Sequence, residues 1–299
     1  MWGKRDFLSL ADYSREELLA LIGRAAEMKE ARDRPEFQRI LEDRCVAILF
    51  EKSSTRTRVS FEVGIRQLGG YPIFLNRNDI QLGRGEPMSD TARVLSSYVD
   101  AVVLRTFGHE ILEELAKWSS APVINGLTDL LHPCQVLADL FTAQEAGLDV
   151  TTMNAAWIGD GNNMANSWIN AAGVMGFRLI VACPDGYDPD IAPNGKNVIL
   201  TRDPGEAIRD ADLVSTDVWA SMGQEAEAET RKEAFRGFQV NAELLSAANR
   251  PVYVLHCLPA HRGEEITDQV MESEQSLIWK QAENRLHVQK AILEMLLSG

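Results

Sequence analysis

The chain has 299 residues, 45% of them hydrophobic and 25% charged, with a formal net charge of −14. A disordered chain would be poorer in apolar residues. At ~100–200 residues per domain this length suggests two domains, with one large domain the alternative. The acidic balance leaves no general basic surface for a nucleic-acid backbone or an anionic membrane, so an anionic substrate must find its positive charge in a local cluster.

No apolar run approaches the ~18 residues of a membrane span. The start, Met1-Trp2-Gly3-Lys4-Arg5-Asp6, has neither the apolar stretch nor the small-residue cleavage site of a signal peptide, and its acidic content argues against a transit peptide. The four cysteines, Cys45, Cys134, Cys183 and Cys257, form no CxxC pair. We expect a reducing, cytoplasmic setting, no disulfide framework and no structural zinc.

Short apolar runs alternate with helical patterns. The first series of strands is Cys45–Phe50, Tyr71–Leu75, Ala101–Leu104 and Pro122–Ile124. A long helical stretch, His132–Ala146, separates it from a second series: Ala155–Ile158, Arg178–Ala182, Val198–Leu200, Leu213–Val214 and Val252–Leu255. Gln281–Leu297 reads as a closing helix with no strand after it. Unbroken apolar strands between amphipathic helices indicate parallel sheets covered on both faces. The fold class is α/β, in two domains, each a mainly parallel sheet flanked by helices. We expect residues 1–130 with 283–299 in the first domain, 131–149 as the linking helix, and 150–282 in the second.

In such sheets ligands bind beyond the carboxyl ends of the strands. Ser53-Ser54-Thr55-Arg56-Thr57-Arg58 follows the first strand and precedes a helical pattern, Val59–Leu68. Hydroxyls, helix-start N–H groups and an arginine fork there suit a phosphate; the plainer alternative is a helix cap followed by a solvated basic turn. The segment is not a P-loop, because GxxxxGK[ST] is missing. Arg105 follows the third strand, either joining that anion site or pointing to solvent. His132 and Gln135, three residues apart around Pro133, can polarise a carbonyl and read an adjacent NH2 group. From spacing alone the plainer reading, a capping histidine and an exposed glutamine, is slightly favoured.

Gly159-Asp160-Gly161-Asn162-Asn163 follows the first strand of the second series. The dinucleotide fingerprint fails because Met164 stands where its third glycine belongs. Carboxamides at a helix start suit the α-amino/α-carboxylate pair of an amino acid instead. Asp217 can pair with an ammonium group, and Ser221 and Met222 offer a hydroxyl and a backbone N–H. In His256-Cys257-Leu258-Pro259, Cys257 is a nucleophile, a polar contact or a small buried filler. No zinc-ligand spacing surrounds it.

Taken in order, these segments resemble the aspartate/ornithine carbamoyltransferase family. The resemblance runs through Phe50–Arg58, Asp90-Thr91-Ala92-Arg93-Val94-Leu95, His132-Pro133-Cys134-Gln135, Gly159–Asn163, Asp217–Gly223, His256–Pro259 and Ala282-Glu283-Asn284-Arg285. The Asp-x-x-x-Ser-Met-Gly and His-Cys-Leu-Pro segments point to the ornithine branch. Cys134 departs mildly, standing where Thr is common.

The resemblance implies transfer of a carbamoyl group from carbamoyl phosphate to the δ-amine of L-ornithine. It implies phosphate contacts from Ser54, Thr55, Arg56, Thr57 and Arg105, and carbamoyl contacts from His132 and Gln135. Cys257, Leu258 and Arg285 would complete that site. Asn163, Asp217, Ser221 and Met222 would hold ornithine. Arg56, Arg105, His132, Asp217 and Cys257 would carry the chemistry. It further implies a reaction that needs no metal or organic cofactor, a homotrimer or multiple of trimers, with Gln81 donated by a neighbouring subunit, and a terminal helix that returns to the first domain. The alternatives are a sister enzyme acting on aspartate, putrescine or an acylated ornithine, and a catalytically silent ligand-binding homologue.

Overall fold

The computed structural model describes residues 4–33, 39–76, 85–221, 223 and 225–298. The chain divides into one unit of Met1–Phe141 with Glu283–Gly299, and a second of Thr142–Ala282.

The first unit holds β1 (Cys45–Phe50), β2 (Tyr71–Asn76), β3 (Ala101–Arg105) and β4 (Val123–Leu127) in a parallel sheet of order β2-β1-β3-β4. Its helices are α1 (Arg15–Glu30), α2 (Thr55–Gln67), α3 (Met88–Leu95), α4 (His109–Trp118) and most of α5 (Pro133–Glu145). The second unit holds β5 (Asn154–Ile158), β6 (Arg178–Ala182), β7 (Val198–Thr201), β8 (Leu213–Thr216) and β9 (Tyr253–His256), parallel in the order β7-β6-β5-β8-β9. Its helices are α6 (Asn163–Met175), α7 (Pro204–Ile208), α8 (Ala228–Ala234), α9 (Ala242–Ser246) and α10 (Asp268–Met271), followed by the start of α11 (Ile278–Leu297).

Central strands are buried along their length because both faces carry helices; β1, Cys-Val-Ala-Ile-Leu-Phe, is buried from Val46 to Phe50. The edge strand β2 alternates instead and leaves Tyr71 and Ile73 exposed. In the first sheet the chain lays β2 on one side of β1 and then β3 on the other. In the second it does the same around β5 with β6 and β8. Each reversal is a switch point that opens a crevice at the strands' carboxyl ends, between β1 and β3 and between β5 and β8.

The polar ends of several elements belong to them rather than following them. Arg105 ends β3, Thr216 ends β8 and His256 ends β9. The helix after β1 starts at Thr55, not at Val59, because Ser54 caps it by accepting the Thr57 N–H at 3.2 Å.

From Glu283 onward α11 lies in the first unit and packs on α1. Arg24 forks onto Glu294 at 2.5 and 2.9 Å, Lys29 donates to Asn284 at 2.8 Å, and Arg32 pairs with Glu283 at 2.9 Å. His287 is fully buried on this helix, with no hydrogen-bond partner at either ring nitrogen among the described residues. Burial, then Lys290, Lys29 and Arg32, push its pKa down to about 3. The unfolded histidine takes up a proton near ~6.5 and the folded one refuses it, so stability present above that pH is lost on acidification, by about 2 kcal/mol at pH 5. Wild-type Tm is therefore expected to fall between pH 7.5 and pH 5, and His287→Leu to flatten that fall. Parallel melting profiles for the two proteins would contradict this.

Candidate active site

The first unit gathers positive charge at its switch point. Ser54, Thr55, Arg56 and Thr57 form the start of α2: Thr55 and Arg56 are exposed, Ser54 is half-buried and Thr57 is buried. The first-turn N–H groups of a helix and its positive dipole end attract an anion. Arg105 ends the neighbouring strand, level with Phe50 of β1. It is only 7% exposed, so the reading of a solvent-pointing charge is excluded.

His132 precedes α5 and Gln135 lies in its first turn. Gln135 is fully buried, which overturns the exposed-glutamine alternative. Arg285, 3% exposed, reaches across from α11. Its Nη1 donates to Gln135 Oε1 at 2.8 Å and its Nη2 to Thr57 Oγ1 at 2.7 Å. Gln135 Nε2 in turn donates to Asp139 Oδ1 at 2.8 Å. One guanidinium thus fixes the starts of α2 and α5 together. Thr57 accepts from Arg285, which leaves its hydroxyl proton for another acceptor. Burial, then Arg285 and Arg105, hold His132 well below the usual histidine range, so it is a neutral imidazole at physiological pH.

Two neighbours of this cluster play other parts. Arg58 pairs with Glu62 at 2.8 Å and lies over the Phe74 ring at 3.6 Å, on the β2 side. Cys134 donates to the Asn125 carbonyl at 3.3 Å, and burial pushes its thiol up to about 12, so it packs rather than reacts. No sequence pattern marks Lys52. It is buried, pairs with Asp129 and lies 4.5 Å from the centre of the Phe107 ring, directly after β1.

The second unit builds a different constellation. Asp217 follows β8 and is 7% exposed. Its Oδ1 accepts from Cys257 Sγ at 3.0 Å and from the Val218 N–H at 2.8 Å, and its Oδ2 accepts from Asn162 Nδ2 at 2.9 Å. Burial raises the pKa of this carboxyl, with the hydrogen bonds from Cys257, Val218 and Asn162 pulling the other way. Asn162 caps α6 by accepting the Met164 and Ala165 N–H groups at 2.9 and 3.3 Å. Asn162 therefore braces Asp217. Cys257 bonds a carboxylate, so it is more than a buried filler.

Ser221 is half-buried in the loop beyond Trp219. Met222 and Gln81 lie outside the described residues. The backbone leading to Ser221 is anchored by buried Arg231, which donates to the Trp219 carbonyl at 2.9 Å and pairs with Asp160 at 3.0 Å. Burial raises Asp160 to about 6, with Arg231 opposing it. Gly161 has no room for a side chain, since a Cβ there would fall on the Asp188–Pro189 peptide.

Half-buried Leu258 takes a left-handed conformation, φ 63°, uncommon for an L-residue outside glycine. His256 holds it: the Leu258 N–H donates to His256 Nδ1 at 2.9 Å. An accepting Nδ1 leaves the ring proton on Nε2, which donates to Glu265 Oε1 at 3.0 Å. Neither His256 nor Glu265 has any exposure. Sequence reading missed both, as well as Asn162 and Arg231 as anchors.

Residues 5–145 match the model of the aspartate/ornithine carbamoyltransferase carbamoyl-P binding domain, and residues 151–296 that of the Asp/Orn binding domain. The chain belongs to the aspartate/ornithine carbamoyltransferase family. The ornithine carbamoyltransferase of Geobacter metallireducens is 55% identical over 300 residues, covering 98% of this chain and 99% of that protein. The anabolic ornithine carbamoyltransferase of Pseudomonas aeruginosa is 54% identical, covering 98% and 97%. The solved ornithine carbamoyltransferase of Pyrococcus furiosus aligns with TM-score 0.94 at 48% identity, covering 99% of this chain and 98% of that one. As a member of the family the chain has both of its domains. No helix among the described residues is long and apolar enough to cross a membrane.

Proposed function

We propose that this carbamoyltransferase-family chain transfers the carbamoyl group of carbamoyl phosphate to the δ-amine of L-ornithine, giving L-citrulline and phosphate in arginine synthesis. The observation that carries the acceptor assignment is the buried Asp217 carboxylate, bracketed by Asn162 and Cys257. A carboxylate attracts an alkylammonium and repels the anionic side chain of aspartate. Asn163, Ser221 and Met222 would hold the amino-acid end.

Carbamoyl phosphate is an anion, and Ser54, Thr55, Arg56 and Thr57 form a helix start suited to its phosphate, with Arg105 at the end of the neighbouring strand. Neutral His132 would donate to the carbamoyl oxygen. Gln135 Oε1, already accepting from Arg285, has a second lone pair for the carbamoyl NH2. Cys257 and Leu258 complete this assignment, and Gln81 is the residue we assign to a neighbouring subunit.

In the reaction the neutral δ-nitrogen attacks the carbamoyl carbon. The C–N bond forms, charge builds on the carbonyl oxygen, and the bond from carbon to the bridging oxygen of the acyl phosphate breaks. Phosphate leaves with that bonding pair, and the nitrogen passes one proton to the departing phosphate. His132, Arg105 and Arg285 would act as donors to the developing oxyanion. Binding two substrates side by side supplies much of the rest.

An alkyl amine has a pKa near ~10.4, so its neutral fraction rises about tenfold per pH unit below that. His132 is already neutral there and adds no step. The kcat/KM for ornithine is therefore expected to climb between pH 6 and 8.5, and a flat or falling pH–rate profile would contradict the neutral-amine step.

An amine panel with carbamoyl phosphate tests the acceptor. Ornithine is expected to exceed aspartate, putrescine and acylated ornithine, and preference for any of these overturns the assignment. We assign the chain to a homotrimer or a multiple of trimers in the cytoplasm. Support for self-association comes from Val59, Val63, Tyr71 and Ile73, exposed apolar residues on α2 and the edge strand β2. Support for a reducing compartment comes from four free cysteines. A monomeric mass in solution would exclude the trimer.

A further inference from the structure

The loop after β9 carries a second cluster, outside the residues assigned to either substrate. His261, Glu264 and Glu265 each offer one ligand atom, and these atoms lie within 4.8 Å of one another. Glu265 has no exposure. Its Oε1 accepts from His256 Nε2 at 3.0 Å and from the His261 N–H at 2.6 Å, while its Oε2 has no hydrogen-bond partner among the described residues. A buried carboxylate oxygen without a donor is costly unless a cation reaches it. His261 Nδ1 stands 3.7 Å from Glu264 Oε2, too far for a hydrogen bond but a span that a shared ion bridges. The competing cation is Lys232, whose Nζ lies 3.1 Å from Glu264 Oε1.

We propose that His261, Glu264 and Glu265 bind one divalent transition-metal ion, with water completing its shell. Metal–ligand distances of about 2.0–2.2 Å for imidazole nitrogen and carboxylate oxygen place neighbouring ligand atoms roughly 3–4 Å apart. A small inward swing closes the site, and the side chains of His261 and Glu264, 51% and 34% exposed, are the ones able to make it. An imidazole beside carboxylates favours Zn2+, Co2+ or Mn2+ over Ca2+ and Mg2+, which take oxygen ligands. Because Glu265 also holds His256, and His256 holds the Leu258 N–H, an ion here stiffens the loop that presents Cys257.

The test is Co2+ titration of the full-length chain, followed by visible absorption and by Tm. Asp217, His256 and Cys257 form another possible ligand group, so Cys257→Ser is the parent background that removes its thiolate. That parent is expected to bind one Co2+ without a thiolate charge-transfer band and to melt at higher temperature with it. Adding His261→Ala and Glu264→Gln should weaken binding at least about tenfold and abolish the rise in Tm. His261→Ala alone, at a half-exposed side chain, gives the same reading should the double change disturb folding. Loss of all Co2+ binding in Cys257→Ser, or unchanged binding in the His261 variants, overturns the proposal.

Discussion

Arg285→Ala is expected to lower kcat/KM for carbamoyl phosphate by about 10²–10³-fold, the range found when one pre-positioned donor to a developing oxyanion is removed. The guanidinium does two jobs. It supplies positive charge, and it locks Thr57 to Gln135 through bonds of 2.7 and 2.8 Å. Truncation leaves two buried polar groups short of a partner, at roughly 1–3 kcal/mol each, so Tm should fall as well. Arg285→Lys separates the two effects. It keeps the charge but cannot make the planar fork, so most of the activity should still be lost. His132 supplies a second readout. Arg285 is one cause of its depressed pKa, so removing the arginine must shift His132 upward in a histidine NMR titration. Near wild-type kcat/KM in Arg285→Ala would remove the residue from the phosphate-side site.

Asp217→Asn is expected to lower kcat/KM for ornithine by about 10³-fold, through loss of the carboxylate opposite an ammonium in a desolvated site. The substitution keeps size and shape. It also removes a buried charge whose pKa burial has already raised. One amide face still accepts from Cys257, but its NH2 then meets the donating Nδ2 of Asn162, so the local bonds must rearrange. Tm should change little or rise, and carbamoyl phosphate binding should be unaffected. Equal losses in both substrates, or a large drop in Tm with the activity, would make Asp217 a structural residue instead.

The positions of these two residues show where sequence reading succeeds and stops. Unbroken apolar strands carry a strong signal, and Cys45–Phe50 and Arg178–Ala182 read to the residue. Their neighbours read short at the carboxyl end because apolar patterning stops where chemistry begins, at Arg105, Thr216 and His256. The start of α2 was hidden for the same reason: its first turn is polar so that it can bind, not pack. Asp217 was legible from its place after a strand.

Arg285 was not legible from pattern. It lies 228 residues from Thr57 and 150 from Gln135, on a terminal helix with nothing local to mark it, and only the family resemblance pointed there. Asn162 and Asn163 are equivalent in sequence. Only the folded backbone makes Asn162 the cap of α6 and a donor to Asp217. The His256–Glu265 pair, nine residues apart across an irregular loop, matches no helical or strand period.

The central claim is that this chain joins a carbamoyl group to the δ-nitrogen of ornithine. It is tested most directly by supplying carbamoyl phosphate labelled at its carbonyl carbon, with ornithine, to the purified protein. The prediction is label in the ureido carbon of citrulline, with one phosphate released per citrulline formed. Release of phosphate without labelled citrulline, or binding of both substrates with neither product, would contradict it.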